Sequence, residues 1–169
     1  MWQFIAFFIA SRPRLVGWLI RCAKRSPYVT ITHDGSVVYM KRWWLMPRCL
    51  LHTDKEGNLM PRSWVPFSLR IHHIVLPDSD RDLHDHPFDY RTIILDGFYV
   101  EEDIFGAFRF RNTGDTVKAR AQTFHRIDKV SDGGVWTLFI MGPRINGWGF
   151  LVGGHKVPYR RYLGMKDGS

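Results

Sequence analysis

Two histidines that are one residue apart, His84 and His86, stand in the run LHDHPFDY near the middle of the chain. On an extended segment the side chains at positions i and i+2 point to the same side, so both imidazoles can reach one metal ion. A third histidine, His125, follows 39 residues after His86. Three neutral imidazoles suit Fe(II), Zn, Mn, Ni or Cu, and the carboxylate of Asp89 is a candidate fourth ligand.

The residues that flank these histidines form a longer pattern than the HxH alone. After the second histidine an apolar run ends at Gly97, and the pair Gly114-Asp115 precedes the third histidine. Residues 84–97 resemble the first motif of the cupins, in which HxH is followed by a carboxylate and by an apolar strand that ends in glycine. Residues 114–125 resemble the second cupin motif, in which Gly-Asp precedes a turn and a histidine.

The resemblance to cupins covers about residues 67–153 and implies an all-β fold, the double-stranded β-helix or jelly roll. Cupins usually hold one divalent metal ion inside the barrel, on three histidines and often one glutamate. Carried over to this sequence, the resemblance implies that His84, His86 and His125 bind one divalent metal ion, with Fe(II) favoured over Zn, Mn and Ni.

Two departures from the cupin pattern bear on the site. Tyr90 stands where the first motif usually has glutamate, and Asp89 lies one position earlier, so whether Asp89 reaches the metal stays open. Arg120 and Gln122 replace the usual proline and glycine of the second motif. A site of three histidines without glutamate is similar to that of the thiol dioxygenases, in which iron binds both substrate and oxygen.

A closer likeness extends over residues 36–162. The segments Arg42-Trp43-Trp44 and Gly142-Pro143-Arg144, together with LHDHPFDY, resemble those of a family of small cupin-like proteins from phage and prophage genomes, which are described as cysteine-dioxygenase-like. This likeness supports the fold and says little about the substrate.

Three functions are compatible with these residues. The first is a mononuclear non-haem iron dioxygenase of the thiol-dioxygenase type, with Arg126 or Arg144 binding an anionic group of the substrate. The second is a sugar isomerase or epimerase, in which Tyr90 or Tyr99 acts as the acid or base. The third is a ligand-binding module that a metal ion stabilises, or a phage accessory protein, in either case without turnover. The expected partner is a small-molecule substrate for the two enzymes, or a small-molecule ligand for the module without turnover.

Two neighbouring histidines and an acidic loop precede the HxH pair. His72 and His73 stand on one predicted strand, and because the side chains of a strand alternate, one of them must face the interior. Asp78 begins the acidic loop. Asp85 lies between the two candidate ligands, and its side chain is expected to point away from the metal, where it could hydrogen-bond to an imidazole.

Short runs of β-forming residues, separated by turns, are predicted to position these side chains. The chain divides into a basic, apolar helical extension, a hairpin with a loop, the barrel and a C-terminal tail, at residues 1–27, 28–66, 67–153 and 154–169. Ser26-Pro27 ends the helix, because the residue before proline leaves the helical region. Asp34-Gly35 forms the hairpin turn. Within the barrel, residues 91–101 form one run of β-forming residues.

The net charge of the 169-residue chain is +8, and it is unevenly distributed. Residues 1–48 hold eight basic side chains and one acidic side chain, whereas residues 69–130 hold 9 basic and 11 acidic side chains. This composition argues against a nucleic-acid partner for the barrel. A protein partner or a membrane surface would contact residues 1–48, and assembly as a homodimer stays open.

The apolar residues at the start of the sequence are too few to cross a membrane. Residues 1–10 and 15–20 are apolar, but Arg12, Pro13 and Arg14 separate them, and neither run reaches the roughly 20 residues required. The charge follows the first apolar run, whereas in a signal peptide it precedes it. The segment is expected to be a helix that packs on the domain or an interfacial amphipathic helix. The protein is expected in the cytoplasm, or in the host cytoplasm if a phage encodes it.

Overall fold

The computed structural model describes residues 1–33, 35–55 and 57–164. The described part contains three α-helices, namely α1 (Trp2–Ala10), α2 (Pro13–Ala23) and α3 (Tyr159–Tyr162). It contains thirteen strands, which in chain order are β1 (Pro27–His33), β2 (Val37–Trp44), β3 (Leu51–Thr53), β4 (Leu59–Pro61), β5 (Ser68–Ile74), β6 (Tyr90–Asp96), β7 (Phe98–Asp103), β8 (Phe108–Asn112), β9 (Thr116–Ala119), β10 (His125–Val130), β11 (Val135–Met141), β12 (Gly149–Val152) and β13 (His155–Pro158). Strands dominate, and the all-β prediction is confirmed.

Six strands form a large antiparallel sheet in the order β1-β2-β5-β11-β6-β9. The predicted hairpin is present as β1 and β2, although Asp34 of its turn lies outside the described residues. Trp43 of β2 lies opposite Ile71 of β5, so the hairpin extends the barrel sheet itself.

The second layer combines two smaller sheets, with the strand orders β10-β7-β8 and β12-β13. His84 lies between these sheets, because it forms a bridge to His125 of β10 on one side and to Phe150 of β12 on the other. The two layers pack face to face: Ile74 from the large sheet and Ile127 from the second layer belong to one buried cluster. The HxH segment therefore closes the second layer over the large sheet.

Gly97 divides the run of residues 91–101 into β6 and β7. Its φ angle is +83°, and a Cβ atom at this position would lie 2.6 Å from Oγ of Ser131. Only glycine adopts this backbone conformation without strain. The run is thus two strands rather than one, and the reversal carries the chain from the large sheet to the second layer.

The helical extension packs on the outer face of the large sheet. Ala6, Val16 and Ala23 are buried in one cluster with Ile71 and Leu138 of the sheet. This burial agrees with the first of the two expectations for the segment. Because helices cover this face and the second layer covers the other, β6 and β11 bury apolar residues on both sides.

The extension consists of two helices rather than one. α1 ends at residue 10, and Pro13 begins α2, where the first helical turn tolerates the missing N–H of proline. Within the described ranges no helix is long and apolar enough to cross a membrane.

The C-terminal tail also adds to the barrel. β13 pairs with β12, and Tyr162 of α3 stacks on Phe150 with ring centroids 3.9 Å apart. Residues 165–169 of the predicted tail lie outside the described residues. Cys22 and Cys49 are free thiols.

Candidate metal centre

The three predicted histidine ligands come from two backbone segments that lie side by side. The N–H groups of His84 and His125 each donate to the carbonyl oxygen of the other residue, at 2.9 Å in both directions. The ring of His86 lies 5.2 Å from each of the other two rings, centroid to centroid. The antiparallel pairing therefore brings together residues that are far apart in sequence.

The donor atoms of the three imidazoles converge. One ligand atom from each of His84, His86 and His125 lies within 4.8 Å of the others, and among the described residues no other His, Cys, Asp or Glu belongs to this group. Nε2 of His86 lies 3.0 Å from Nε2 of His125. Three nitrogen donors in this arrangement fit a divalent transition-metal ion.

Two buried carboxylates lie next to the Nδ1 atoms of two of the imidazoles. Oδ2 of Asp78 lies 3.7 Å from Nδ1 of His84, and Oε2 of Glu101 lies 3.5 Å from Nδ1 of His125. A carboxylate on this side favours a proton on Nδ1, which leaves the lone pair of Nε2 available to a metal ion. The two acids thus orient two of the three candidate ligands.

These carboxylates are fixed by partners of their own. Asp78 accepts hydrogen bonds from the Tyr39 hydroxyl and, at 2.7 Å, from the backbone N of Ile127. Glu101 accepts a hydrogen bond from Nε of Arg111 at 2.7 Å. Burial by itself would raise the pKa of Glu101, but the neighbouring histidine and the guanidinium hold this pKa below its usual value. The carboxylate therefore stays ionised at neutral pH.

Glu101 was not among the site residues predicted from the sequence. The available signal was its place on β7, where Glu101 shares a face with the buried Tyr99 two residues earlier. An acidic residue on a buried face requires a polar partner. The identity of that partner depends on strands that are distant in sequence.

Burial keeps two of the imidazoles neutral. It lowers the pKa of His84 to about 4, against the opposing effect of the Asp78 charge. Burial, and then the adjacent His125 and His84, lower the pKa of His86 well below its usual value. At neutral pH both side chains are in the form that binds a metal ion.

Tyr90 lies directly beside the histidines. Its hydroxyl is 3.3 Å from Nε2 of His125, and its ring stacks on Phe139 with centroids 4.7 Å apart. Burial, followed by the Glu101 charge, raises the pKa of Tyr90 above its usual value. The phenol therefore keeps its proton at neutral pH and can act as a hydrogen-bond donor next to His125.

Tyr99, the second predicted acid or base, lies in an apolar setting. It is buried in a cluster with Ile94, Ile127 and Val135. Burial raises the pKa of Tyr99 well above its usual value. Its surroundings are those of a core residue.

The carboxylate of Asp89 stabilises a turn through a hydrogen bond. Its Oδ1 accepts a hydrogen bond from the backbone N of Ala121 at 2.8 Å, and the group of converging ligand atoms does not include it. Because Ala121 lies four residues before His125, this contact fixes the segment that leads into β10.

Asp85 points away from the histidines, as expected, but its partners are not imidazoles. It is fully buried, accepts a hydrogen bond from the backbone N of Gly149 at 2.8 Å, and forms an ion pair with Lys156. Asp85 thereby anchors the HxH segment to β12 and β13.

The two arginines that were predicted to bind substrate differ in their surroundings. Nη2 of Arg126 lies 2.7 Å from Oε2 of Glu102 and 3.5 Å from Oδ1 of Asp128. Arg126 directly follows His125 on β10, so the two side chains point to opposite faces. Arg144 is exposed in the loop that connects β11 and β12.

Of the two adjacent histidines on β5, His72 faces the barrel interior. Its ring stacks on Phe139 with centroids 4.7 Å apart, and Phe139 in turn lies 6.1 Å from the ring of His86. His73 faces outward and stacks on Trp136 at 4.1 Å.

Two arginines share the inner face with His72, and we call Arg42 and Arg70 the cationic wall. Arg42 lies opposite His72 on β2. The Arg70 guanidinium lies 4.1 Å from the ring centroid of Trp44. Nε of Arg70, Nε2 of His72 and Oγ1 of Thr137 are buried without a hydrogen-bond partner among the described residues. Arg70 and Arg42 were not among the site residues predicted from the sequence.

A cavity of about 420 Å³ opens beside the centre. It is lined by Tyr90, Glu101 and His125 and, from the β7–β8 hairpin, by Phe105 and Arg111. The cavity therefore adjoins Tyr90 and one candidate metal ligand, His125.

Comparison with known proteins yields matches to solved structures only. No known protein-family profile matches the sequence, and no curated protein is detectably similar to it in sequence. The chain matches two DMSP lyase structures and spans about half of their lengths, 47% and 52%. The second of these, DddQ from Ruegeria pomeroyi DSS-3, has a TM-score of 0.46 and 13% identity over 68% of this chain.

Two further structures have higher TM-scores. A cupin-2 domain protein from Rhodospirillum rubrum gives a TM-score of 0.52 and 11% identity, with 74% of each chain covered. HppE in its Fe(II) form gives a TM-score of 0.51 and 11% identity, with 70% of this chain and 57% of that chain covered. At these identities the likeness establishes the fold: this chain folds as a cupin jelly-roll barrel, as its sequence motifs predicted.

Proposed function

We propose that this chain is a metal-dependent enzyme that binds one Fe(II) ion through His84, His86 and His125. The observation that carries the proposal is the convergence of three imidazoles whose ligand atoms lie within 4.8 Å of one another. Nitrogen donors of this kind also suit Zn, Mn and Ni. Fe(II) is favoured because the reaction proposed below requires a redox-active ion, and a protein of the same fold, HppE, was solved with Fe(II).

The reaction that we propose is the oxygenation of a small thiol. Three neutral imidazoles leave the charge of a divalent ion uncompensated, which favours an anionic ligand such as a thiolate. In the balanced reaction a thiolate RS⁻ takes up both atoms of O₂ to give a sulfinate RSO₂⁻, so sulfur supplies all four electrons. When bound, the metal ion supplies Lewis-acid and redox chemistry at the positions that the histidines leave open.

Tyr90 contributes a hydrogen-bond donor at a defined place in this proposal. Its hydroxyl lies 3.3 Å from Nε2 of His125, and Tyr90 lines the cavity through which a substrate would enter. Because burial keeps the phenol protonated, Tyr90 can donate a hydrogen bond to a group held next to the histidines.

The cationic wall supports an anionic substrate. Burial, together with the charge of Arg42, lowers the pKa of Arg70 to about 9, so Arg70 remains charged at neutral pH. Among the described residues no carboxylate forms an ion pair with Arg42 or Arg70. A buried charge without an opposite charge beside it is costly. A carboxylate on the substrate would supply that partner. In this proposal Arg70 replaces Arg126 and Arg144 as the anion-binding residue.

Metal content tests the first part of the proposal. Protein purified without chelators and reconstituted with Fe(II) under anaerobic conditions should hold one ion per chain. His84→Ala and His125→Ala should abolish stoichiometric binding, whereas the exposed His52→Ala serves as the matched control and should bind as the unaltered chain does. Stoichiometric binding that survives both triad variants would exclude this centre.

Oxygen consumption tests the second part. The iron-loaded protein is offered a panel of small thiols that differ in whether they carry a carboxylate. We expect uptake of one O₂ per thiol consumed, with preference for the carboxylated thiols. Stoichiometric iron without oxygen uptake would reject the dioxygenase and would favour the isomerase or the non-catalytic module.

A further inference from the structure

The packing of α1 leaves aromatic side chains uncovered. Ala6 and Ala10 are buried against the domain, whereas Phe4 is 72% exposed and Phe8 is 44% exposed. The two phenylalanines are one helical turn apart, and their ring centroids are separated by 6.4 Å. The exposed side of α1 is therefore an apolar surface without a partner in the described chain.

α2 continues this surface with a basic and aromatic stripe. Arg14, Trp18 and Arg21 are spaced by three or four residues and so share one face of the helix. All three are exposed, Trp18 by 53% of its surface. The opposite face buries Val16 and Ala23. α2 is thus amphipathic, with arginines on both sides of its exposed tryptophan.

Positive charge accompanies the exposed rings. Residues 1–33 contain five Lys or Arg residues and no Asp or Glu. The guanidinium of Arg12, between the two helices, lies 3.5 Å from the ring centroid of Phe8. Because both helices are buried in one cluster on the outer face of the large sheet, their exposed aromatic rings and cationic groups lie on the side that points away from the sheet.

We propose that this helical face, made of Phe4, Phe8, Arg14, Trp18 and Arg21, docks on an anionic phospholipid surface. Tryptophan and phenylalanine side chains enter the boundary between headgroups and acyl chains, while arginines bind the lipid phosphates. The +5 charge of residues 1–33 complements such a surface. The same charge disfavours a second copy of the chain as the occupant, because two such faces repel one another.

The proposal is independent of the metal chemistry. The helices pack on the outer face of the large sheet with Ile71, whereas the histidine centre lies on the inner side, next to His72 and Phe139. A variant can therefore lose lipid binding and keep metal binding, or lose metal binding and keep lipid binding.

Vesicle co-sedimentation of the full chain tests the proposal. The probes are vesicles of phosphatidylcholine alone and of phosphatidylcholine with roughly one third phosphatidylglycerol. We expect the protein to pellet with the anionic vesicles, to stay in solution with the neutral ones, and to be released as salt is raised from about 0.05 to 0.5 M.

Two double variants and two controls separate the apolar and the charged contributions. Phe4→Ser with Phe8→Ser, and Arg14→Gln with Arg21→Gln, should each weaken the binding by about tenfold or more. The controls are Trp64→Ser, an exposed aromatic residue outside the helices, and Arg161→Gln. Near-ultraviolet circular dichroism confirms that each variant is folded.

Three results would overturn the proposal. The unaltered protein could fail to bind anionic vesicles, or the controls could weaken binding as much as the helical variants do. The third result is a stable dimer that becomes monomeric in the phenylalanine variant without any binding to vesicles, which would identify a second copy as the occupant.

Discussion

Glu101 and His125 lie on paired strands, with Oε2 of Glu101 3.5 Å from Nδ1 of His125. The other carboxylate oxygen of Glu101 accepts a hydrogen bond from Nε of Arg111 at 2.7 Å. The orientation of one imidazole at the centre therefore depends on an ion pair between β7 and β8, two strands that contribute no candidate ligand.

Replacing Glu101 by glutamine should weaken metal binding without abolishing it. The amide keeps the shape of the side chain but loses the charge that favours a proton on Nδ1 of His125 and that pairs with Arg111. We expect metal affinity to fall about 10- to 100-fold, as measured by competition with a chromophoric chelator. Glu102→Gln is the matched control, because Glu102 points to the opposite face of β7 and pairs with Arg126. Equal effects of the two variants would contradict the orienting role.

The metal-free protein should lose stability as the pH falls from about 6.5 to about 4. The pKa of His84 is about 4 in the folded chain against 6.5 as its usual value, so the unfolded chain binds a proton that the folded chain does not. Above pH 6.5 the protonation of His84 does not change the free energy of unfolding. Below pH 6.5 this free energy declines, by on the order of 2 kcal/mol for this residue.

Urea unfolding at about pH 7, 5.5 and 4.5 measures this dependence. His84→Gln should flatten the decline, whereas His52→Gln on the exposed strand β3 should leave it unchanged. A free energy of unfolding that does not vary over this range would show that burial does not hold His84 neutral.

Tyr90→Phe should separate metal binding from turnover. The phenylalanine ring can retain the stacking on Phe139, so the metal stoichiometry should stay at one. The loss of the hydroxyl next to His125 should lower kcat about 100-fold if the chain is the enzyme proposed above. Tyr99→Phe, in the apolar cluster, is the comparison variant and should retain kcat. An unchanged kcat in Tyr90→Phe would remove Tyr90 from the reaction.

Arg70→Met should make the protein more stable and its substrate binding weaker. Removing a buried charge that lacks a carboxylate partner should raise the free energy of unfolding by on the order of 1 kcal/mol. The loss of a charge-assisted hydrogen bond should raise KM for a carboxylated thiol about 100-fold, with little change for a thiol without a carboxylate. Arg161→Met serves as the surface control. A loss of stability in Arg70→Met together with an unchanged KM would indicate a structural role only.

Asp89→Asn should leave metal binding unchanged. The asparagine Oδ1 can accept the same hydrogen bond from the backbone N of Ala121, so the turn before β10 should be preserved. Metal titration of this variant decides whether Asp89 is a ligand, because substitution of a charged ligand by an amide should lower the affinity by at least tenfold. A decrease of that size would place Asp89 in the metal site.

The sequence by itself determined the fold class and indicated the three histidines that converge. The HxH spacing orients two side chains to one side of an extended segment because of the period of β structure. The motif that ends in Gly97 and the Gly-Asp before His125 identified the cupin barrel. The orientation of His84 and His86 follows from local geometry, which neighbouring residues determine, whereas the place of His125 beside them followed from the resemblance to the cupin motifs.

The tertiary structure decided which polar groups surround the histidines. Asp78 and Glu101 face two imidazoles because strands that are far apart in sequence pack together, and nothing near either acid in the sequence indicates this. Alternation required one of His72 and His73 to face inward, but only the packing of α1 and α2 on the outer sheet face settles which one. The inward side is where Arg70 lies, so the cationic wall is a consequence of layer packing and not of any local motif.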